Sequence, residues 1–237
     1  MSTLFISDLH LDDRRPKATQ AFLTFLEREA LQADALYILG DLFEFWLGDD
    51  AATPTGQAVA PALRAVADQG VPIAFMHGNR DFLLGERYAQ AAGMRLLEEE
   101  TVVDLYGAPT LLLHGDTLCT DDVAYQKTRL MLRDPAFQAD FLAKTPQERV
   151  AFALKAREMS ADHKAGVSMD IMDVNAEAVA SAFARHGVRH MIHGHTHRPA
   201  VHEEAGYQRV VLGDWYDQGS VLSISAEGLQ LDALPWA

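Results

Sequence analysis

Histidines bunched late in the chain raise the first chemical question. Residues 190–199 read H-M-I-H-G-H-T-H-R-P. A short apolar run, Met191-Ile192, stops at His193-Gly194, and two more histidines follow with a single threonine between them. In extended backbone, residues two apart point to the same side, so His195 and His197 can address one small region together. Imidazole is the commonest metal ligand, and Gly194 lets the backbone pass close to whatever sits there. An isolated H-x-H also occurs in solvated loops, so the rest of the chain must supply the ligands this pair lacks.

Four other apolar runs end in metal-competent groups. Thr3-Leu4-Phe5-Ile6 leads into Ser7-Asp8-Leu9-His10, and Ala35-Leu36-Tyr37-Ile38-Leu39 into Gly40-Asp41. Val71 to Met76 leads into His77-Gly78-Asn79-Arg80-Asp81, and residues 110–113 into His114-Gly115-Asp116. Such runs read as buried strands, and groups beyond strand carboxyl ends in α/β sheets converge on one crevice. The set is then Asp8, His10, Asp41, Asn79, His114, His195 and His197. Carboxylates, an amide and imidazoles together suit Mn2+, Fe or Zn2+ better than Ca2+. Seven ligands are too many for one tetrahedral ion and fit two ions that share a carboxylate, with Asp41 the natural bridge.

The positioning elements follow from periodicity. Helices are expected over 17–32, where Phe22, Phe25, Leu26 and Ala30 form a stripe, over 56–69 and over 175–186. Strand, helix, strand, helix, strand at the start predicts a largely parallel sheet. Runs at 101–106 and 110–113 around Gly107-Ala108-Pro109 predict a hairpin, and later strands are expected near 189–193, 199–204, 209–213 and 220–225. Residues 121–170 show no strand alternation. Leu130, Met131, Phe137, Phe141, Leu142, Val150, Phe152, Leu154 and Met159 recur there at roughly helical spacing, which predicts short helices packed on one another.

At 237 residues and 49% apolar composition, the chain has room for one α/β domain with an insert. A formal charge of −14 argues against a nucleic-acid partner. Residues 121–170 are neutral, so the rest carries the whole deficit, and the basic residues of that segment read as a solvated helical face. No run nears the ~18–20 apolar residues that span a bilayer, and no basic segment precedes the first strand. With Cys119 as the only cysteine, a cytoplasmic, reducing setting is expected.

Taken in order, D-L-H, G-D, G-N-R-D, H-G-D and G-H-T-H resemble the calcineurin-like metallophosphoesterases. The resemblance implies a four-layer αββα sandwich around mixed sheets. It implies one ion on Asp8, His10, Asp41 and His197, and another on Asp41, Asn79, His114 and His195. Many members carry histidine where this chain has Arg80, a permanent cation that holds phosphate oxygens but donates no proton. Longer strings, Y-I-L-G-D-L-F-E-F-W (37–46), H-G-N-R-D-F-L-L-G (77–85), H-G-D-T-L-C-T-D-D (114–122), I-M-D-V-N (171–175) and I-H-G-H-T-H-R-P-A-V-H (192–202), are similar to the branch of the lipid A pathway that cleaves UDP-2,3-diacylglucosamine.

That narrower resemblance implies two Mn2+ ions and hydrolysis of a lipid-nucleotide pyrophosphate by water attack at the α-phosphorus. Asp41, Asn79 and Arg80 would be catalytic, and Asn79, Arg80, Asp122, Ser160 and His195 would meet substrate. Lys164 and Val167 stand where the family tends to use asparagine and lysine, and a basic Lys164 could replace the missing cation. The core is then 1–120 and 171–237, and 121–170 is a helical cap serving the acyl chains. Peripheral contact with the cytoplasmic face of the inner membrane is implied, and no obligate protein partner.

Alternatives remain open. The same scaffold serves soluble nucleotide pyrophosphatases and phosphodiesterases, and some relatives are binding scaffolds without metal. His77, His163, His186, His190, His193 and His202 read as surface or hydrogen-bonded histidines. Asp81, Asp116 and Asp214 either orient ligand imidazoles or merely end strands. Phe45 and Trp46 either border the site or, more simply, pack in the core, and Cys119 reads as structural.

Overall fold

Alternation along the first strands decides how the layers stack. Leu4, Ile6, Leu36, Ile38, Ile73 and Phe75 point one way and pack with Phe22, Phe25, Leu26 and Leu63. Their neighbours Phe5, Leu39, Ala74 and Met76 point the other way and pack with Leu111, Leu112, Met191 and Ile192. A strand buried on both faces needs a layer on each side, and these two clusters are those contacts. The computed structural model describes residues 2–164 and 173–236, with side chains described for 2–155 and 173–236.

The first sheet runs in the order β11-β10-β1-β2-β3-β4, and the second β5-β6-β7-β9-β8. Here β1 is Thr3–Ile6, β2 Ala35–Leu39, β3 Ile73–Met76, β4 Met94–Leu97, β5 Glu100–Leu105 and β6 Ala108–Leu113. Later come β7 (His190–His193), β8 (Ala200–Glu204), β9 (Tyr207–Val211), β10 (Gly219–Ser225) and β11 (Gly228–Leu234). In the first sheet β1 to β4 are parallel, and β10 and β11 add antiparallel. In the second, β6, β7 and β9 are parallel, with antiparallel edges. Helices α1 (Pro16–Arg28), α2 (Pro54–Asp68) and α3 (Glu86–Ala92) cover the first sheet. Helix α7 (Ala176–His186) covers the second through Ala182 and Phe183, whose ring lies 4.8 Å from that of Tyr207. The arrangement is the expected αββα sandwich.

Local chemistry sets the boundaries. Pro54 opens α2 behind Thr53, whose hydroxyl accepts from Gly56 N. Asn175 caps α7, which ends at Gly187 in the left-handed conformation. Tyr106-Gly107, both with positive φ, close the β5–β6 hairpin. Helix α3 and strands β4 and β11 lie outside the elements expected from periodicity.

The segment after residue 121 forms three helices as far as it is described: α4 (Val123–Leu132), α5 (Pro135–Leu142) and α6 (Pro146–Lys164). Phe137, Phe141 and Phe152 do pack together, with ring centroids 5.3–6.1 Å apart. The expectation fails for Leu130, Met131, Leu142, Val150 and Leu154, which are exposed. It also fails for three of the basic residues. Arg129 Nε donates to the buried Asp116 carboxylate at 2.7 Å, and its NH2 group reaches Glu99 at 2.6 Å. Arg133 donates to Gly78 O at 2.9 Å, and Arg149, 1% exposed, pairs with Asp50. These cations moor the helices to the core instead of facing water. Met159 lies outside the residues whose side chains are described.

Removing one partner of a buried pair strands the other charge. Arg129→Met should lower the urea-unfolding free energy by about 2–4 kcal/mol, with near-native circular dichroism before unfolding. An unchanged midpoint would mean the pair does not hold α4 down.

Candidate metal centre

All seven predicted ligands come together where the two sheets share an edge of loops. Asp8 and His10 follow β1, Asp41 follows β2, Asn79 follows β3, His114 follows β6, and His195 and His197 follow β7. Five of them, Asp8, His10, Asp41, His195 and His197, have φ between 49° and 69°. That region costs a residue with a Cβ about 1–2 kcal/mol, and among the described residues only Tyr106 and Ala205 share it outside glycine. Strain concentrated this way marks a site whose geometry is imposed by its surroundings.

Close approach explains the glycines in the motifs. A Cβ on Gly78 would overlap the Asp41 carboxylate, and one on Gly194 would overlap Ser7 and Asp8. Backbone hydrogen bonds then lash the loops together. His10 N donates to Asp41 O at 2.9 Å, Gly194 N to His114 O at 2.8 Å, and Trp215 N to Asp8 O at 3.1 Å.

The donor atoms fall into two groups. Nε2 of His10 and Nε2 of His197 are 3.3 Å apart, and the latter is 3.2 Å from Asp8 Oδ1. On the other side, Asn79 Oδ1 lies 3.1 Å from His114 Nε2 and 2.9 Å from His195 Nδ1. Asp41 stands between, with Oδ2 3.7 Å from His10 Nε2 and Oδ1 3.8 Å from His114 Nε2. The far oxygen of Asp8 is engaged by His195 N–H at 2.8 Å, and Oδ1 of Asp41 takes Arg80 N–H at 2.8 Å.

Electrostatics point the same way. Burial alone would raise the Asp8 carboxyl, yet the His197 hydrogen bond and the nearby imidazoles hold it well below the carboxylate range. Burial would lower His114, but the Asp41, Asp8 and Asp116 charges raise it to about 9. His195 is pushed down to about 4, first by burial and then by charge on His114. A field that draws positive charge, and lone pairs that face each other across 3 Å, fit divalent cations.

The calcineurin-like phosphoesterase family model matches residues 1–199. The chain belongs to the calcineurin-like phosphoesterases. It is 56% identical to the UDP-2,3-diacylglucosamine hydrolase of Stenotrophomonas maltophilia over 99% of both chains, and 55% identical to that of Xanthomonas axonopodis pv. citri, again over 99% of both. Among solved structures, an archaeal phosphodiesterase superposes with a TM-score of 0.50 at 12% identity, over 99% of this chain and 100% of that one, which speaks to the fold.

Around the ligands this phosphoesterase has a supporting layer that the sequence reading largely missed. Glu44 Oε2 lies 3.0 Å from His10 Nδ1, and Tyr216 stacks on the same imidazole at 5.3 Å. Arg15 lies over the Tyr216 ring, 4.5 Å from its centroid, and donates to His10 O and Trp215 O. Asp214 faces His197 Nδ1 at 3.4 Å, the orienting role that had been one of two readings. Asp81 instead accepts from Gly78, Asp41 and Phe43 N–H groups and so holds two ligand loops by their backbone. Burial, aided by Asp41, raises it to about 7. Asp116 anchors Tyr125 and Arg129.

Other readings are met directly. His77 bonds Leu84 O, His186 bonds Glu100, and His193 sits between Gly194 O and Arg209, so none of these faces the cradle. Cys119 is buried, and burial followed by Asp116 pushes its thiol up to about 12, away from the range of reactive thiolates. Trp46 packs on Phe43 and Tyr88 as expected, and it also forms wall. A cleft of about 450 Å³ is lined by His10, Asp41, Asn79, Arg80 and Asp122 and also by Leu132, Phe137, Phe141 and Phe152. Asp122 also caps α4, accepting from Tyr125 N at 2.9 Å. The side chains of Ser160, His163 and Lys164, and Val167 altogether, lie outside the described residues.

Loss of an imidazole's outer partner typically weakens metal binding. Glu44→Gln should lower affinity for the ion predicted at Asp8, His10, Asp41 and His197 about tenfold in calorimetric titration with Mn2+. Parental affinity would remove Glu44 from the support of His10.

Proposed function

We propose that this phosphoesterase hydrolyses the pyrophosphate bond of UDP-2,3-diacylglucosamine, giving 2,3-diacylglucosamine 1-phosphate and UMP. The observation that carries the proposal is that one cleft is lined both by the metal-competent His10, Asp41, Asn79, His195 and His197 and by the aromatic Phe137, Phe141 and Phe152. It occurs in a chain 56% identical, end to end, to a protein of that activity's name. A soluble nucleotide would leave the apolar lining unused, whereas two acyl chains need such a lining.

In this reading Asp8, His10, Asp41 and His197 hold one ion, and Asp41, Asn79, His114 and His195 the other, with Mn2+ as the native metal. Such a pair lowers the pKa of water toward neutrality and offsets charge growing on the phosphoryl oxygens. Asp41 spans both halves because each of its oxygens faces a different imidazole. Arg80 lines the cleft with a buried Nε that has no partner among the described residues, a donor held for a phosphoryl oxygen. A guanidinium binds phosphoryl oxygens without acting as a general acid, which suits a leaving group that departs as a phosphate monoester. Asn79 adds an amide beside it. Asp122, Ser160, Lys164 and His195 complete the contacts to phosphate and glucosamine. The core is 1–120 and 171–237, and 121–170 is the cap over the acyl chains.

We also infer peripheral association with the cytoplasmic face of the inner membrane. Among the described residues no helix is long and apolar enough to cross a membrane. Seven exposed large apolar side chains, Val123, Leu130, Met131, Leu142, Val150, Phe152 and Leu154, all lie on α4 to α6, which also line the cleft. Clustered exposure of that kind marks an interaction surface, and the lipid substrate resides in a bilayer.

Two measurements test these readings. Asp41→Ala should cut release of UMP from UDP-2,3-diacylglucosamine by about 1,000-fold or more. A variant at the parental rate would end the dinuclear mechanism, and a parent that cleaves only bis(p-nitrophenyl) phosphate would end the substrate assignment. Leu130→Asp with Leu154→Asp should lose most flotation with phosphatidylglycerol vesicles while keeping turnover of detergent-dispersed substrate. Equal flotation would remove the helices from membrane contact.

A further inference from the structure

Two guanidinium groups, and no lysine, line the cleft among the described residues: Arg80 and Arg198. Each directly follows a predicted ligand in sequence. Arg80 comes after Asn79 on the loop from β3 of the first sheet, and Arg198 after His197 on the loop from β7 of the second. They therefore approach the cradle from different sheets.

The proposed mechanism engages Arg80 with one phosphoryl group, and a pyrophosphate has two. The other acidic groups on the wall, Glu44 and Asp122, oppose a diphosphate. Arg198 is paired with Asp173, which stands just ahead of α7, and the two side chains are 42% and 35% exposed. A partly exposed pair of this kind is screened by water and holds weakly. A guanidinium fork, in contrast, fits two phosphoryl oxygens at once, and pairs best where water is excluded.

We propose that Arg198 exchanges Asp173 for the second phosphoryl group of the substrate, so that it selects diphosphate diesters over single-phosphate esters. The proposal rests on the reading of this cleft as a pyrophosphate site. It makes Arg198 a specificity residue that touches substrate, with Asp173 as its resting partner.

The test is calorimetric titration of the Mn2+-loaded full chain with methylenediphosphonate and, separately, methylphosphonate. Arg198→Met should weaken the diphosphonate about tenfold and the monophosphonate less than about twofold. Asp173→Asn, which neutralises one partner of the guanidinium, should leave diphosphonate binding as tight as in the parent or tighter. Equal effects of Arg198→Met on both probes, or none, would overturn the proposal. So would Asp173→Asn weakening the diphosphonate as Arg198→Met does, since Arg198 would then be a structural latch only. Hydrolysis of UDP-2,3-diacylglucosamine by the parent, measured alongside, decides the proposed substrate independently of Arg198.

Discussion

Two carboxylates buried side by side set the terms for the rest of this molecule. Asp8 is fully buried and Asp41 is 2% exposed, and a ligand atom from each, together with one from His114, lies within 4.8 Å of the others. Charges withdrawn from water must be compensated or neutralised. Here four imidazoles and an amide oxygen converge with them, and the ligand loops accept left-handed backbone to bring them there. The two-sheet architecture is what makes this affordable. Strands β1 to β3 deliver the acidic ligands and Asn79 from one sheet, and β6 and β7 deliver three imidazoles from the other.

Helices α4 to α6 depend on the same core in a different way. Their arginines reach inward to Asp116, Glu99, Gly78 O and Asp50, all of them near ligand loops or the cleft wall. Helix position and site geometry are therefore linked by short paths. Asp116 lies two residues from His114, and Gly78 next to Asn79. Three of the eight basic residues that make 121–170 neutral in a −14 chain, Arg129, Arg133 and Arg149, answer acidic partners on the core.

The convergence of the seven predicted side chains was legible in the sequence because strand termini impose order: an apolar run, then a polar residue, which follows a glycine or serine in every run except the one before His114. The hairpin and the main strands were legible for the same periodic reason. Helix α3 escaped because seven residues give no apolar stripe, and β4 because M-R-L-L shows no clean alternation. Strand β11, G-L-Q-L-D-A-L, did carry a period of two that could have been read. The inward roles of Arg129 and Arg149 were hidden, because their carboxylate partners are 13 and 99 positions away. Glu44 beside His10 was hidden likewise, since composition and spacing say nothing about pairs that only tertiary folding joins.

The central claim is that loops from both sheets form one cradle for two divalent cations. Anomalous diffraction at the manganese edge, from crystals grown with Mn2+, tests it most directly. The account predicts two peaks, one among Asp8, His10 and His197 and one among Asn79, His114 and His195, with Asp41 between them. A single peak, or peaks away from these side chains, would contradict it.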